Sequence, residues 1–302
     1  MSRIPAAACC LLIVLQADSG GASQAGSSIG PLLEQLRANT ERYRQACRDL
    51  MAEERRDLVV YDAAGKVRKR RTILSDLMIS RARADGEVVF EYRVVREVDG
   101  KPIRGSGRRL ERFLELLKKT DTADEELERT FEESTRYDLG YHIGEYTLHV
   151  LLPSWNEFFE LFTFTAAVRE ENAGRSLLRV DFVQQKSHPG LWSIHTDLDA
   201  RQFAGPFMRG SLWLDERSGR VWREHDEIFF RDSKRSETVK LVELDTDFAD
   251  SRFGTLLPQR LLLRRYHVRA GKQGDTSFPE LRITSKLGAF RRFGVEARIE
   301  TR

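Results

Sequence analysis

A two-residue alternation of apolar and polar side chains is the feature that most constrains this fold. It starts at Asp57, is interrupted by a helical pattern, and returns after Pro153 to the end of the chain. Turn-forming stretches such as residues 62–65 and 99–100 separate the alternating segments. Strands joined by tight turns pair antiparallel, because parallel pairs need long crossover connections. The sequence therefore predicts one large antiparallel sheet.

Helical patterns precede this sheet and interrupt it. Pro31 stands where a helix can begin, since a fixed φ and a missing N–H are tolerated there. The residues that follow at steps of three and four form one stripe: Leu33, Leu36, Thr40, Tyr43, Cys47 and Leu50. This stripe directs Cys47 to the core. A second stripe (Leu110, Phe113, Leu114, Leu117) and a capping box of Thr122 with Glu125 predict a helical insertion at about residues 108–152.

The N-terminus has the three zones of a secretory signal. Residues 1–5 carry Arg3, residues 6–15 are all apolar, and residues 16–28 are small and polar. An apolar run this short cannot span a bilayer, which takes about 20 helical residues. We expect residues 1–25 to be a signal peptide and residues 26–302 to be one domain of a periplasmic or extracellular protein, with no transmembrane segment. Cys47 is then the only cysteine of the mature chain, so no internal disulfide is expected.

The charges are numerous and nearly balanced. Charged residues make up 32% of the chain, yet the formal net charge is only +3. The exception is a basic cluster at residues 66–71, which is typical of a solvated strand face or of a surface that contacts anionic lipid or polysaccharide. Nucleic-acid binding is not expected, because the compartment is wrong and no aromatic-and-basic motif accompanies the cluster.

The stretch 210–227 ends in His225-Asp-Glu, three residue types that bind metals and move protons. Pairing Asp215 with Arg220 makes the stretch a hairpin in which Leu214 faces Val221. The same register makes Trp213 face Trp222. His225 and Glu227 would then share one face of the strand, with Glu224 and Asp226 on the other, so adjacent residues cannot converge on one ion. A metal site would need a further ligand from another strand, and the sequence does not identify one.

The remaining candidates for catalysis are weaker. His142 and His149 are seven residues apart, which does not fit the i, i+4 pair of a zinc helix. The serine at Gly105-Ser-Gly107 follows a polar loop and lacks the strand that a nucleophile elbow requires. We therefore predict no catalytic residues, no metal and no cofactor.

Four stretches of the chain are distinctive when taken together: Glu-Val-Asp-Gly-Lys-Pro-Ile-Arg at 97–104, Glu-Ser-Thr-Arg-Tyr-Asp-Leu-Gly at 133–140, Gly-Ser-Leu-Trp-Leu-Asp at 210–215 and Phe-Arg-Arg-Phe-Gly-Val at 290–295. With them the chain resembles a family of uncharacterised exported proteins of acidobacterial type. The order of elements is also similar to that of the periplasmic lipoprotein carriers LolA and LolB. This resemblance implies an α+β fold in which an unclosed, half-barrel antiparallel sheet follows an N-terminal helix and holds helices on its concave face. The present chain is longer than those carriers, so none of their acyl-binding residues can be assigned to it.

Three classes of function stay open. The first is binding of an apolar or acylated ligand, a lipid or an acylated protein, in the half-barrel, with Phe162, Phe164 and Trp213 as the candidate lining residues. The second is a ligand-free envelope interaction or scaffold protein. The third is a hydrolase without a recognisable motif. The sequence does not predict the oligomeric state.

Overall fold

The computed structural model describes residues 29–47, 49–82, 88–118, 132, 135–141, 150–165, 168–172, 174–186, 203–232, 238–269 and 276–292. The predicted signal peptide and the predicted capping box of Thr122 and Glu125 lie outside these residues. So do four of the six histidines, namely His142, His149, His188 and His195.

Two helices and twelve strands make up the described part of the chain. The helices are α1 (Gly30–Ala46) and α2 (Ser106–Lys118). The strands are β1 (Leu50–Tyr61), β2 (Val67–Ala82), β3 (Val88–Val98), β4 (Lys101–Pro102), β5 (Phe162–Phe164), β6 (Val168–Asn172), β7 (Arg175–Gln184), β8 (Phe203–Leu214), β9 (Val221–Asp232), β10 (Thr238–Asp250), β11 (Leu256–Arg269) and β12 (Thr276–Arg292).

All twelve strands belong to one antiparallel sheet, as the alternation predicts. The strand order is β4-β3-β2-β1-β12-β11-β10-β9-β8-β7-β5, and β6 pairs with β7 as well. Most strands pair with their neighbours in sequence. The exceptions are β5, which pairs with β7, and the pairing of β1 with β12, which brings the first and last strands together in the middle of the sheet. The terminal strands β4 and β5 do not pair with each other, so the sheet is not closed. The predicted large, unclosed antiparallel sheet is confirmed.

Helix α1 packs on one face of the sheet, which we call the α1 face. The stripe predicted from the sequence is present, with Leu36, Thr40, Tyr43 and Ala46 buried and Cys47 5% exposed at the helix end. The ring of Tyr43 lies edge-on to Phe248 of β10, with 6.2 Å between centroids. The helix shares one buried cluster with apolar residues from strands across the sheet, among them Leu58, Ile73, Val180, Leu212, Leu261 and Ile283.

Helix α2 packs on the opposite face. Phe113 of α2 is buried and stacks on Tyr92 of β3, with 4.0 Å between ring centroids. Its cluster contains Met51, Met78 and Val94, whose side chains point away from α1 because they alternate with α1-face residues along their strands. The expectation that the helices share one face is therefore wrong for α2.

The β8–β9 hairpin forms, but one residue out of the predicted register. Asp215 N donates to Arg220 O at 2.9 Å, and Leu214 faces Val221, both as predicted. A β-bulge beyond this pair makes Trp222 the extra residue, so that Trp213 faces Arg223. The predicted Trp213–Trp222 pair is wrong. Each ring instead contacts an arginine, Arg223 at 4.8 Å from Trp213 and Arg175 at 3.8 Å from Trp222.

The segment before β5 also differs from the prediction. The Phe-rich stretch from residue 158 was expected to be a strand, but two 3₁₀ turns, Leu152–Ser154 and Phe159–Leu161, occupy this region. The first turn contacts α1 through Thr40 Oγ1 and Ser154 Oγ, which lie 2.7 Å apart. Only Phe162–Phe164 adopts the expected strand, because these three residues pair with the end of β7.

Candidate functional site

Strand β9 directs two carboxylic acids into the apolar cluster beneath α1. Glu224 and Asp226 alternate with His225 and Glu227 along the strand, as the sequence predicts, and their side chains are 0% and 2% exposed. Glu224 lies between Leu212 of β8 and Thr246 of β10. Acids in such surroundings are unusual, because removing a carboxylate from water costs several kcal/mol unless a charge or a set of donors compensates it.

Within the described part of the chain, the Glu224 carboxyl group has one hydrogen-bond partner. Both of its carboxyl oxygens lie within hydrogen-bonding distance of the Leu151 backbone N–H, at 2.9 and 2.8 Å. Leu151 has φ +60° and precedes the 3₁₀ turn Leu152–Ser154, so this contact fixes the turn against the sheet. Burial raises the pKa of Glu224 to about 8, against the opposing effect of the Leu151 N–H. Glu224 is therefore mostly protonated at neutral pH.

The burial of the Asp226 carboxyl group is compensated even less than that of Glu224. Burial raises its pKa well above the usual range, and the nearby Glu224 and Asp245 raise it further. Its Oδ1 atom has no hydrogen-bond partner among the described residues. The residue opposite on β8 is Gly210, where a Cβ would come within 1.9 Å of the His225 carbonyl oxygen and 2.7 Å of Phe182 Cζ. A glycine is required there, and the residues opposite it on the two neighbouring strands are Asp226 and Phe182.

Two hydroxyl groups extend this polar row across the sheet. Thr246 is directly opposite Glu224 and also opposite Leu261 of β11, which in turn faces Ser285 of β12. Thr246 is 0% exposed and Ser285 is 1% exposed, and neither hydroxyl oxygen has a hydrogen-bond partner among the described residues. Residues opposite one another in paired strands point to the same face, so this row lies on the α1 face.

The same row ends in a buried group of ion pairs at β1. Arg56 is opposite Ser285, and its Nη1 lies 2.9 Å from Asp138 Oδ1. Glu54 accepts from Arg93 Nε at 2.7 Å, and Arg56 Nε lies 3.5 Å from the same carboxyl oxygen. Burial acts to raise the pKa of Glu54, but Arg93 and Arg56 outweigh it and the pKa is lowered. These opposite charges compensate one another, which explains how they can be buried.

The opposite face of β9 and β10 carries a surface network of charges around His225. His225 Nδ1 lies 3.0 Å from Asp245 Oδ1, and these two residues with Glu243 could each offer a metal a ligand atom, all within 4.8 Å of one another. Arg264 Nη1, however, donates to Glu243 at 2.8 Å and to Asp245 at 3.0 Å. An ion would have to displace this guanidinium, so the arrangement is a network of ion pairs. Glu243 and Asp245 are the possible metal ligands from another strand that the sequence analysis did not identify. Their i, i+2 spacing on β10 places both side chains on one face of the strand, and this spacing was the signal that the sequence offered.

Two of the three predicted lining residues lie together. Phe162 and Phe164 are on one face of β5, and both rings contact Phe182, at 5.8 and 6.3 Å between centroids. Trp213 lies on the opposite face of the sheet, where its Nε1 donates to Glu170 Oε2 at 2.9 Å. The three residues therefore do not line one cavity. Ligand binding by Phe162 and Phe164 stays a prediction.

No family model and no curated protein matches this chain. Solved structures similar to it include a DUF1329 family protein from Desulfovibrio piger, at 10% identity over 87% of this chain and 92% of that one, with a TM-score of 0.39. A LolA superfamily protein from Nitrosomonas europaea follows at 11% identity, 88% and 93% coverage and a TM-score of 0.33. A putative outer membrane lipoprotein-sorting protein domain from Vibrio parahaemolyticus has 11% identity, 85% and 93% coverage and a TM-score of 0.30.

The LolA-type resemblance suggested by the sequence is thus found among solved structures as well. TM-scores below 0.5 describe a loose similarity, from which no function passes to this chain. Neither helix in the described part of the chain is long and apolar enough to cross a bilayer.

Proposed function

We propose that this protein is an exported envelope protein that binds an apolar or acylated ligand against the α1 face of its sheet. The observation that supports this proposal is a set of buried polar atoms that have no hydrogen-bond partner among the residues that the structure describes: Asp226 Oδ1, Thr246 Oγ1 and Ser285 Oγ. Each such atom costs about 1–3 kcal/mol, and folded proteins pair nearly all of them. A bound molecule with polar atoms within its hydrocarbon would supply the missing partners.

The chemistry of the row favours a neutral acceptor such as the carbonyl oxygen of an ester or amide. Burial raises the pKa of Glu224 to about 8 and that of Asp226 well above its usual range, so both acids can act as hydrogen-bond donors at neutral pH. The side chains around them are apolar, including Leu212, Leu244 and Phe182. Such surroundings suit a hydrocarbon chain, which gains about 0.8 kcal/mol for each buried CH₂.

A ligand could reach this row only if α1 shifts, because the helix covers the face. One polar contact of the helix is buried, that of Thr40 with Ser154, and others lie at its edges: Asn39 Nδ2 donates to Ser218 O at 2.6 Å, and Arg44 lies 2.9 Å from Glu157. Contacts of this exposed kind contribute little free energy each, about 0–1 kcal/mol. The helix can therefore shift at these edges at a lower cost than by breaking its buried stripe.

The first experiment is native mass spectrometry of the protein purified from the envelope fraction of its host, which should show a co-purified lipid. Displacement of a fluorescent fatty acid then tests the face. Phe164→Ala should weaken probe binding about tenfold, roughly 1.4 kcal/mol, because it removes an apolar ring next to Phe182. Trp213→Ala, a matched aromatic truncation on the opposite face, should leave the affinity unchanged.

Equal effects of the two substitutions would contradict the assignment of the α1 face. If a folded protein binds no probe even at tens of micromolar, a range that corresponds to about −6 to −7 kcal/mol, the ligand proposal is wrong. A ligand-free envelope scaffold would then be the better description of the protein.

A further inference from the structure

The end of the β1–β2 hairpin concentrates the positive charge of the molecule. We call residues 62–71 the hairpin tip. It contains five cations (Lys66, Arg68, Lys69, Arg70, Arg71) and one carboxylate, that of Asp62, and so has a formal charge of +4. The whole chain carries +3, which leaves −1 for all of the other residues together. The surface is therefore strongly asymmetric in charge.

Most of these cations are uncompensated. The Asp62 carboxylate accepts from the backbone N–H groups of Ala64 and Lys66, both at 2.9 Å, and so serves the turn itself. Arg71 lies 3.5 Å from Asp99 and donates to Tyr137 O. Within the described residues, none of the other four cations is in an ion pair. Elsewhere on the sheet, exposed cations on strands commonly pair across to a neighbouring strand, as Arg209 does with Glu227 at 2.7 Å.

The tip is accessible from both sides. Residues 62–70 are all exposed, and Val67 leaves 45% of its surface in water, one of few large apolar residues to do so in the described chain. Strand β2 pairs with β3 only from Ile73 onward, so residues 67–71 have β1 as their sole partner strand. Successive side chains of a strand point to opposite faces, which places cations on both faces of this ribbon.

We propose that the hairpin tip docks the protein on an anionic membrane surface, with its cations on lipid phosphates and Val67 among the headgroups. Cations spread over both faces of an extended ribbon do not converge on one small anion, but they match a layer of many negative charges. An exposed apolar residue within the basic run fits the boundary between headgroups and hydrocarbon. This proposal does not rest on the ligand proposed for the α1 face.

The test is sedimentation of the protein with phosphatidylcholine vesicles that contain about one third phosphatidylglycerol, compared with phosphatidylcholine alone. Each cation near an anionic surface strengthens binding about fivefold, so the triple variant Arg68→Gln, Lys69→Gln, Arg70→Gln should bind roughly 100-fold more weakly. The control is Arg42→Gln, Arg217→Gln, Lys286→Gln, which removes three exposed cations away from the tip and should bind like the wild type. Binding of the wild type should also weaken as salt is added.

Several results would overturn the proposal. They are an absence of wild-type binding to anionic vesicles, equal losses in the two triple variants, and binding to a sulfated polysaccharide but not to vesicles. Basic residues on an open strand edge can also prevent aggregation, so the triple variant at the hairpin tip could lose vesicle binding because it aggregates. An environment-sensitive fluorophore on Ala64→Cys tests the wild-type charges directly: its emission should change with anionic vesicles, and an unchanged signal would refute docking through the tip.

Discussion

At the scale of single residues, burial alone does not determine whether an acid is charged. Glu54 and Glu224 are both almost completely buried, yet the pKa of Glu54 is lowered and that of Glu224 is raised to about 8. The difference is that Arg93 and Arg56 contact Glu54, whereas the partner of Glu224 among the described residues is a backbone N–H. Arg56 is only two residues from Glu54 on β1, but Arg93 comes from β3 and the Leu151 N–H comes from the start of a 3₁₀ turn. No local stretch of sequence therefore contains all of the partners that set the charge of each acid.

These shifts predict a stability that falls as the pH rises from about 4.5 to 8. The pKa of Glu224 is about 4.5 in the unfolded chain and about 8 in the fold, so the folded state binds more protons in this window and loses stability as they leave. The effect reaches about 1.4 kcal/mol per pH unit for one group. Urea unfolding at several pH values should show this slope, and Glu224→Gln should reduce it without abolishing it, because the raised pKa of Asp226 contributes with the same sign.

The opposite sign applies to Glu54, because its lowered pKa contributes stability above its unfolded pKa that is lost only as the pH falls below that value. It does not offset the predicted slope between pH 5 and 8. Glu41→Gln, an exchange at a partly exposed position of α1, should keep the wild-type slope. A wild-type stability that is flat or rises over this range would show that Glu224 is ionised in the fold.

At the scale of single elements, strand alternation was predictable and strand register was not. The turn at residues 215–220 and the pairing of Leu214 with Val221 follow from the sequence, because the turn residues and the apolar pattern agree. The bulge at Trp222 does not: it accompanies the packing of each tryptophan ring on an arginine, Trp213 on Arg223 of β9 and Trp222 on Arg175 of β7. Arg175 lies outside the hairpin, so the sequence of the hairpin alone does not contain all of these contacts.

The bulge predicts which side chains are energetically coupled. In double-mutant cycles, Trp213→Ala and Trp222→Ala should be additive within about 0.5 kcal/mol, because the two rings do not face each other. Trp213→Ala with Arg223→Ala should instead show coupling of about 0.5–1 kcal/mol from the cation–π contact. Chemical denaturation measures both cycles. Strong coupling between the two tryptophans would instead support the register predicted from the sequence, in which Trp213 faces Trp222 without a bulge.

At the scale of the whole molecule, the described residues form one sheet with a helix on each face. The alternation in the sequence predicted the large unclosed sheet, but an amphipathic stripe shows only that a helix buries one side, not which face of the sheet it covers. Tyr92 and Val94 determine the position of α2, because they form an apolar patch on the opposite face of β3. The polar row on the α1 face likewise arises only when five strands are aligned.

Substitutions on the two faces of the sheet should differ in their effect on ligand binding. Phe113→Ala should destabilise the protein by about 3–5 kcal/mol because it removes a buried ring stacked on Tyr92, while probe affinity of the folded protein stays the same. Leu36→Ala, on α1, should also lower stability, by about 2–5 kcal/mol, and should change probe affinity as well. Thermal unfolding and probe titration on the same samples compare the two variants. A loss of affinity in Phe113→Ala would place the ligand on the α2 side.

Cys47 gives α1 a further property. It lies at the end of the helix, buried and hydrogen-bonded with Tyr43, and burial raises the pKa of its thiol to about 12. Beyond the first 28 residues it is the only cysteine in the chain, so no covalent crosslink can fasten α1 to the sheet. In an oxidising compartment, and once the segment with Cys9 and Cys10 has been removed, the thiol can join only to another molecule, and only after the helix end has moved. A disulfide-linked dimer would therefore show that, in the chains that formed it, the end of α1 had moved away from the sheet.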